Sequence, residues 1–203
     1  MFNRKMKILA ASDLHGDISA ARKLANRAKK ENVNLVILCG DIESGDNAEK
    51  IIEQFVKYDK KVLLVPGNWD SFATPDFLAD IFGVKNIHGY SVKYDDIGIF
   101  GCGGADIGPL TMVTEREIFN TLKKGHDKIS YLKKKVMVTH MHPSGSKSEF
   151  SGISGSASIR RAIEKFKPDL LLHGHIHEAS GIEEKIGKTL VLNVGREGKI
   201  IEI

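Results

Sequence analysis

The sequence predicts an α/β protein in which helices flank two mixed β-sheets packed face to face. Three observations carry that expectation. In the first third, short branched apolar runs alternate with amphipathic helical stretches, the pattern of parallel strands joined by right-handed crossovers. In the middle, two apolar runs flank Asp95-Asp96 and read as a hairpin, which a purely parallel sheet does not supply. The C-terminal segment alternates again and turns at Gly187-Lys188.

Residues 7–11, 35–39 and 62–65 are the first three predicted strands, apolar at nearly every position and so buried on both faces. Between them, Ile18, Ala21, Ala25 and Ala28 share one helical face behind Asp17 as N-cap. Ile51, Ile52 and Phe55 mark a second helix beginning near Asn47. Residues 90–94 and 97–101 form the hairpin. Thr114 to Glu117 is a capping box opening a helix through Leu122. Residues 136–139 are another buried strand, 156–167 a helix stopped by Pro168, and 170–172 the next strand. Residues 181–186, 189–194 and 199–203 are expected to form an antiparallel meander.

Composition narrows the class of protein. The 203 residues and 22.4 kDa suit a single domain spanning 1–203. With 41% hydrophobic and 28% charged residues the chain is globular rather than disordered. A formal charge of +4, scattered along the chain, does not point to nucleic acid. No apolar stretch approaches the ~18–20 residues of a membrane span. The basic start, residues 1–7, leads only into Ile8 to Ala11, too short for a signal peptide's apolar core. Cys39 and Cys102 cannot build a disulfide framework or a thiolate zinc site, so a reducing, cytoplasmic setting is expected.

The polar residues fall in a telling place. Asp13 and His15 follow the first strand, Gly40 and Asp41 the second, Gly67 and Asn68 the third. His140 follows residues 136–139, and His173, His175 and His177 follow residues 170–172. Open α/β sheets place ligand sites at these C-terminal strand ends. Oxygen and imidazole donors without thiolates suit manganese, iron, zinc or nickel, with manganese favoured. Asp13, His15, Asp41, Asn68, His140, His175 and His177 are too many donors for one ion, whereas two divalent ions sharing Asp41 would use them all. Paired ions about 3.5–4 Å apart stabilise both the attacking and the departing oxygen of a phosphoryl displacement. Two dications less the two aspartates leave +2, or +1 with a bridging hydroxide, which still attracts a phosphate ester. Taken singly, Asp13 is an ordinary cap, Gly40-Asp41 and Gly67-Asn68 ordinary turns, and the histidines ordinary loop residues. Their coincidence at five strand ends favours a site.

Asp13-Leu14-His15, Gly40-Asp41, Gly67-Asn68, His140 and Gly174-His175-Ile176-His177 together resemble the signature of the calcineurin-like metallophosphoesterases. The match spans residues 13 to 177. The small size, the run Gly101-Cys102-Gly103-Gly104 and the short tail are similar to compact prokaryotic members. The resemblance implies a four-layer α/β/β/α sandwich. It also implies that Asp13, His15, Asp41 and His177 hold one metal, and Asp41, Asn68, His140 and His175 the other. Asn68 would additionally touch a phosphate oxygen.

One position departs from the pattern. Many members read G-N-H, with that histidine placed to protonate the leaving group, whereas here Trp69 follows Asn68. An indole N–H does not release its proton at neutral pH, so Trp69 is read as a stacking or lid contact to substrate. Without that acid, activated or nucleotide-like phosphodiesters should be handled better than simple alkyl monoesters. His142 is the candidate replacement acid, although support of a ligand or a plain loop position is the favoured reading of it. His173 is expected in the core or supporting a ligand, His88 and His126 at the surface, and Asp17 and Asp70 as orienting or capping groups. Residues 144–156 read as a mobile rim loop, and Arg160-Arg161, Arg196 and Lys133 to Lys135 as cations able to assist an anion, with a solvated face the simpler placement for the lysine run. The expected function is therefore hydrolysis of a small phosphoester, most simply a diester, by attack of a hydroxide held between two metals. A non-enzymatic protein-interaction scaffold on the same fold is the rival. A phosphomonoesterase or nuclease ranks lower, and oligomeric state is not legible.

Overall fold

A computed structural model describes residues 5–43 and 47–203; the first four residues of the basic start lie outside them. β1 (Lys7–Ala11), β2 (Leu35–Leu38) and β3 (Lys61–Leu64) run parallel and adjacent, joined by α1 (Ile18–Lys30) and α2 (Ala48–Val56). Asp17 caps α1 as its sequence promises, its Oδ1 accepting from Ala20 N at 2.9 Å. Then come α3 (Ala73–Phe82) and the two-residue β4 (Lys85–Asn86), which extends the sheet beside β3. Helix α3 escapes prediction because it buries only Pro75 and Leu78 while Phe77 and Ile81 face solvent, blurring any apolar stripe.

The second sheet begins with the expected hairpin, β5 (Ser91–Tyr94) and β6 (Ile97–Cys102). Helix α4 (Glu115–Asp127) opens on the Thr114/Glu117 capping box and runs a turn beyond Leu122. β7 (Lys134–Thr139), α5 (Ala157–Phe166), β8 (Leu170–His173), β9 (Glu183–Ile186) and β10 (Thr189–Asn193) complete it. The strand order is β5-β6-β7-β8-β10-β9, antiparallel at both edges and parallel within.

The tail does not form a three-stranded meander. β9 and β10 pair as expected, but β11 (Lys199–Glu202) crosses to the first sheet and lies antiparallel to β1, with Ile8 opposite Ile201. β10 already has β8 and β9 on its two sides, so it offers no free edge. The outer edge of β1 does. There Ile200 packs towards the helices while Ile201 and Ile203 enter the space between the sheets.

The side-chain alternation of each strand builds the layers. In β1, Leu9 and Ala11 face α1 and α2, while Ile8 and Ala10 face the other sheet. Ile99, Val136, Val138 and Leu172 answer from that sheet, and Met137 and Leu171 turn outward beneath α4 and α5. Helix, sheet, sheet, helix: this is the four-layer α/β/β/α sandwich. Among the described residues no helix is long and apolar enough to cross a membrane.

Candidate metal centre

Every predicted ligand sits where its strand ends, and the backbone there is unusual. Asp13 (φ 59°), His15 (φ 44°), Asp41 (φ 52°) and His175 (φ 72°) all adopt left-handed conformations. Such residues cost about 1–3 kcal/mol each unless the surroundings hold them, and they gather at functional sites. The holding bonds are present. Asp13 N donates to Gly40 O at 3.0 Å, His15 N to Asp41 O at 2.8 Å, and His175 N to Asp13 Oδ1 at 3.2 Å.

Glycine makes the close approach possible. A Cβ on Gly67 would overlap Asp41 Oδ1 and N and lie 2.7 Å from Asp41 Cγ. One on Gly174 would overlap Ser12 Oγ and lie 2.5 Å from Asp13 Oδ2. The run Gly101-Cys102-Gly103-Gly104 packs against Pro66, just ahead of Gly67, with Gly104 N donating to Pro66 O at 2.9 Å.

Six of the predicted donors converge tightly. Asp41 Oδ2 lies 3.5 Å from both His15 Nε2 and His140 Nε2. Asp13 Oδ1 lies 3.7 Å from His177 Nε2, and the Nε2 atoms of His15 and His177 are 3.3 Å apart. His140 Nε2 faces Asn68 Oδ1 at 2.7 Å. His175 joins them through its ring, 5.0 Å from that of His140. The tightest groups of metal-ligating type are Asp13, His15, His177 and Asp13, Asp41, His140, so Asp13 belongs to both.

Hydrogen-bond accounting shows that this cluster suits a cation. His140 Nδ1 contacts Cys39 O at 2.8 Å, and a carbonyl oxygen only accepts, so that nitrogen carries a proton. The ring's Nε2 then confronts Asn68 Oδ1 and Asp41 Oδ2, two more acceptors. Ring, amide oxygen and carboxylate thus turn electron pairs towards one point, as ligands to a cation do. His175 Nε2 is buried with no partner, and burial presses its ring down to about 3, leaving it neutral with a lone pair to give. Burial also lowers His15, against the pull of Asp41 and Asp13. For Asp13, burial pushes upward, but the bond to His177 and the charges of His140 and His177 bring the carboxyl below its usual range. His177 is raised by that same bond, against its burial. Two carboxylates, an amide and four imidazoles without a thiolate fit borderline divalent ions.

Around this set stands a layer of support. Asp70 is fully buried; its Oδ1 accepts from Ile42 N (2.9 Å) and Glu43 N (3.0 Å), and its Oδ2 from Gly67 N (2.7 Å). It thus ties the Asp41 loop to the Asn68 loop, while burial lifts its carboxyl to about 6. Asp17, by contrast, caps α1 and lies 3.6 Å from Arg196, whose Nε donates to Asp13 O at 3.2 Å. Two supports were not foreseen. Ser12 Oγ donates to Cys39 O at 3.0 Å, and Asn193 Nδ2 donates to Ile176 O at 2.9 Å within the Gly174–His177 turn. The only signal for Asn193 was an amide closing an otherwise apolar strand.

Trp69 donates its backbone N–H to Asp41 Oδ1 at 2.9 Å, and its half-exposed indole stands edge-on to His15, ring centres 6.2 Å apart. His142 is fully buried. Its Nε2–H is committed to Ile153 O at 3.2 Å, Nδ1 has no partner, and the ring stacks 6.2 Å from His175. No proton faces outward from it, which fits support of His175 rather than delivery of an acid. His173 is buried and burial lowers it to about 4. His88 and His126 correct the expectation of surface placement. His88 Nδ1 accepts from Gly103 N at 3.0 Å, and His126 stacks on Phe166 with ring centres 4.3 Å apart. Residues 144–156 are tied down more than a mobile rim would be: Lys147–Ser151 form a 3-10 turn, Ser156 N donates to His142 O, and Gly155 N to Glu149 Oε1.

The sequence model of the calcineurin-like phosphoesterase superfamily domain matches residues 6–200. No curated protein matches the chain. Among solved structures, TT1561 of Thermus thermophilus is similar with a TM-score of 0.77 and 18% identity, over 98% of this chain and 99% of that one. Purple acid phosphatase PPD1 from yellow lupin (Lupinus luteus) gives 0.63 at 12% identity, over 98% and 45%. A novel archaeal phosphodiesterase gives 0.56 at 21% identity, over 98% and 100%. At these identities the likeness is one of fold.

Proposed function

The chain belongs to the calcineurin-like phosphoesterase superfamily, and from that premise we propose that it hydrolyses a phosphodiester with the help of two divalent metal ions. One observation carries the proposal: Asp41 Oδ2 stands 3.5 Å from His15 Nε2 on one flank and 3.5 Å from His140 Nε2 on the other. Asp13, His15, Asp41 and His177 would hold one ion, and Asp41, Asn68, His140 and His175 the second. Such a pair activates water at neutral pH and balances charge on the phosphoryl oxygens; manganese is the favoured occupant, with iron, nickel and zinc as alternatives.

The chain's own residues do the rest. In the overall reaction a water oxygen bonds to phosphorus, the ester P–O bond breaks, and the departing oxygen takes up a proton. Asn68 presents its amide beside His140 and can contact a phosphate oxygen as well as an ion. The left-handed Asp13, Asp41 and His175 hold their donors before any substrate arrives, so little reorganisation remains. His142 acts as a positioning residue, its buried ring stacked on His175. Trp69 supplies no acid, so departure relies on the leaving group's own acidity. General acid assistance is worth ~10²–10⁴-fold, and poor alkoxide leaving groups forgo it. That supports aryl or nucleotide-like diesters over alkyl monoesters as substrates, in a cytoplasmic setting.

Two measurements test this. With one metal loaded throughout, an aryl phosphodiester should turn over faster than an alkyl monophosphate; the reverse order overturns the diester assignment. Asp41→Asn should lose hydrolysis while keeping its circular dichroism spectrum. A wild-type chain that binds metal yet leaves every phosphoester intact would favour the protein-interaction scaffold.

A further inference from the structure

Six of the eleven large apolar side chains exposed among the described residues are Trp69, Ile107, Leu110, Met112, Phe150 and Ile153. They come from three separate segments, and each segment touches the metal centre. Trp69 follows Asn68 and bonds Asp41 through its backbone. The 105–112 loop wraps Asn68: Leu110 N and Thr111 N both donate to Asn68 O, and a Cβ on Gly108 would lie 2.5 Å from Asn68 Cβ. The Lys147–Ser151 turn packs beside the short turn His177–Ala179, and Ile153 O receives the His142 proton. Past Asp13 and His177 lies a cleft of about 260 Å³ lined by Ser180, Gly195, Arg196 and Glu197, with a cation and a carboxylate but no large apolar side chain.

Exposed apolar surface is costly and scattered on most soluble proteins, so its concentration around a charged centre calls for an occupant. A metal centre that takes a phosphodiester fixes the anion in the middle and leaves its two ester substituents to the two flanks. The Arg196, Glu197 and Ser180 side chains of that cleft suit a small, hydrophilic substituent. The Trp69, Leu110 and Phe150 flank sets these large apolar side chains beside Asp106 and Lys147, and its hydrocarbon surface suits a hydrocarbon substituent.

We propose that the substrate is an amphipathic phosphodiester whose larger ester substituent, an alkyl chain or an aryl group, lies against Trp69, the 105–112 loop and the Phe150–Ile153 segment. This rests on the phosphoesterase reading and adds the chemical class of the substituent to it. The same chemistry is offered by a soluble ester and by a bilayer lipid.

Trp69 is the chain's only tryptophan, so its emission reports on this flank and needs no turnover. The metal-loaded protein is titrated with methyl alkylphosphonates bearing one, four and eight carbons. A blue shift of Trp69 emission is expected, with Kd falling about two- to fourfold per methylene. Phe150→Ser and Leu110→Ser should each flatten that slope without unfolding the chain, since both side chains are exposed. Sedimentation with phosphatidylglycerol vesicles assigns the substituent to a bilayer lipid, and its absence beside tight octyl binding assigns it to a soluble ester. A Kd independent of chain length, or emission that does not move, overturns the inference. So does a dimer by light scattering whose dissociation alone shifts the emission, because a second copy would then cover the flank. Failure of the phosphoesterase reading shows differently, as an intact chain-length slope with no ester hydrolysed.

Discussion

Gly67→Ala probes how closely the Asp41 and Asn68 loops must approach. The added methyl would overlap Asp41 Oδ1 and N and stand 2.7 Å from Asp41 Cγ, about 1 Å inside a normal carbon–carbon separation of ~3.5–4.0 Å. The methyl meets both the Asp41 backbone N and the Asp41 carboxylate, so the structure can yield only by moving the Asp41 loop or its carboxylate. Overpacking of this kind costs about 1–3 kcal/mol, or a fall of roughly 2–12 °C in Tm for a chain of this length. The larger effect should be on turnover, since a ~1 Å misplacement of reacting groups costs on the order of 10²-fold. Gly83→Ala is the control. Gly83 has φ +66° and nothing within 4 Å of a Cβ, so alanine there carries only the left-handed penalty of about 1–2 kcal/mol. Thermal melts and kcat/KM on an aryl phosphodiester, measured on both variants, should show similar melting losses and a hundredfold activity loss in Gly67→Ala alone. Equal activity in the two variants would refute the claimed tightness of the loops.

Asp70→Asn leaves one carboxyl oxygen's worth of acceptor and sets an amide N–H₂ against the third donor. Metal affinity by chelator competition should fall about 10–100-fold, with about 1–3 kcal/mol lost in urea unfolding. Trp69→His restores a titratable donor beside Asn68; an alkyl ester should gain at least about tenfold in kcat while an aryl ester gains little. For pH, burial holds His173 at about 4, below its ordinary 6.5. A lowered imidazole contributes its stability above 6.5 and loses it as pH falls through 4, about 3 kcal/mol in all. Urea unfolding between pH 7 and 4 should show that slope, and His173→Gln should flatten it; an unchanged slope removes His173 as its source.

The site was legible because its chemistry interrupts regular patterns. A single carboxylate, amide or imidazole just beyond a run such as Leu35 to Cys39 is an ordinary turn residue, but five such interruptions share one end of the fold. Asp17 and Thr114 were legible for a similar reason, since a cap needs only its own neighbours in sequence. The partner of β11 was not. Residues 199–203 carry apolar side chains suited to either sheet, and the choice depends on which edge is free, a fact held by strands nearly two hundred residues away. Ser12 and Asn193 likewise bond to backbone brought near only by folding. His88 and His126 look like surface histidines in sequence because a single buried ring leaves no periodic trace.

The crossing of β11 has a consequence for how the molecule comes into being. Ser12 N donates to Gly195 O at 3.0 Å, and Lys7 lies opposite Glu202, so β1 is flanked on its outer side by β11, nearly two hundred residues further along the chain. Until residues 195–202 have been made, that edge stays open and the turn holding Asp13 lacks one of its braces. Completion of the metal-binding turns therefore waits on residues 195–202, and a variant without them would leave the outer edge of β1 unguarded.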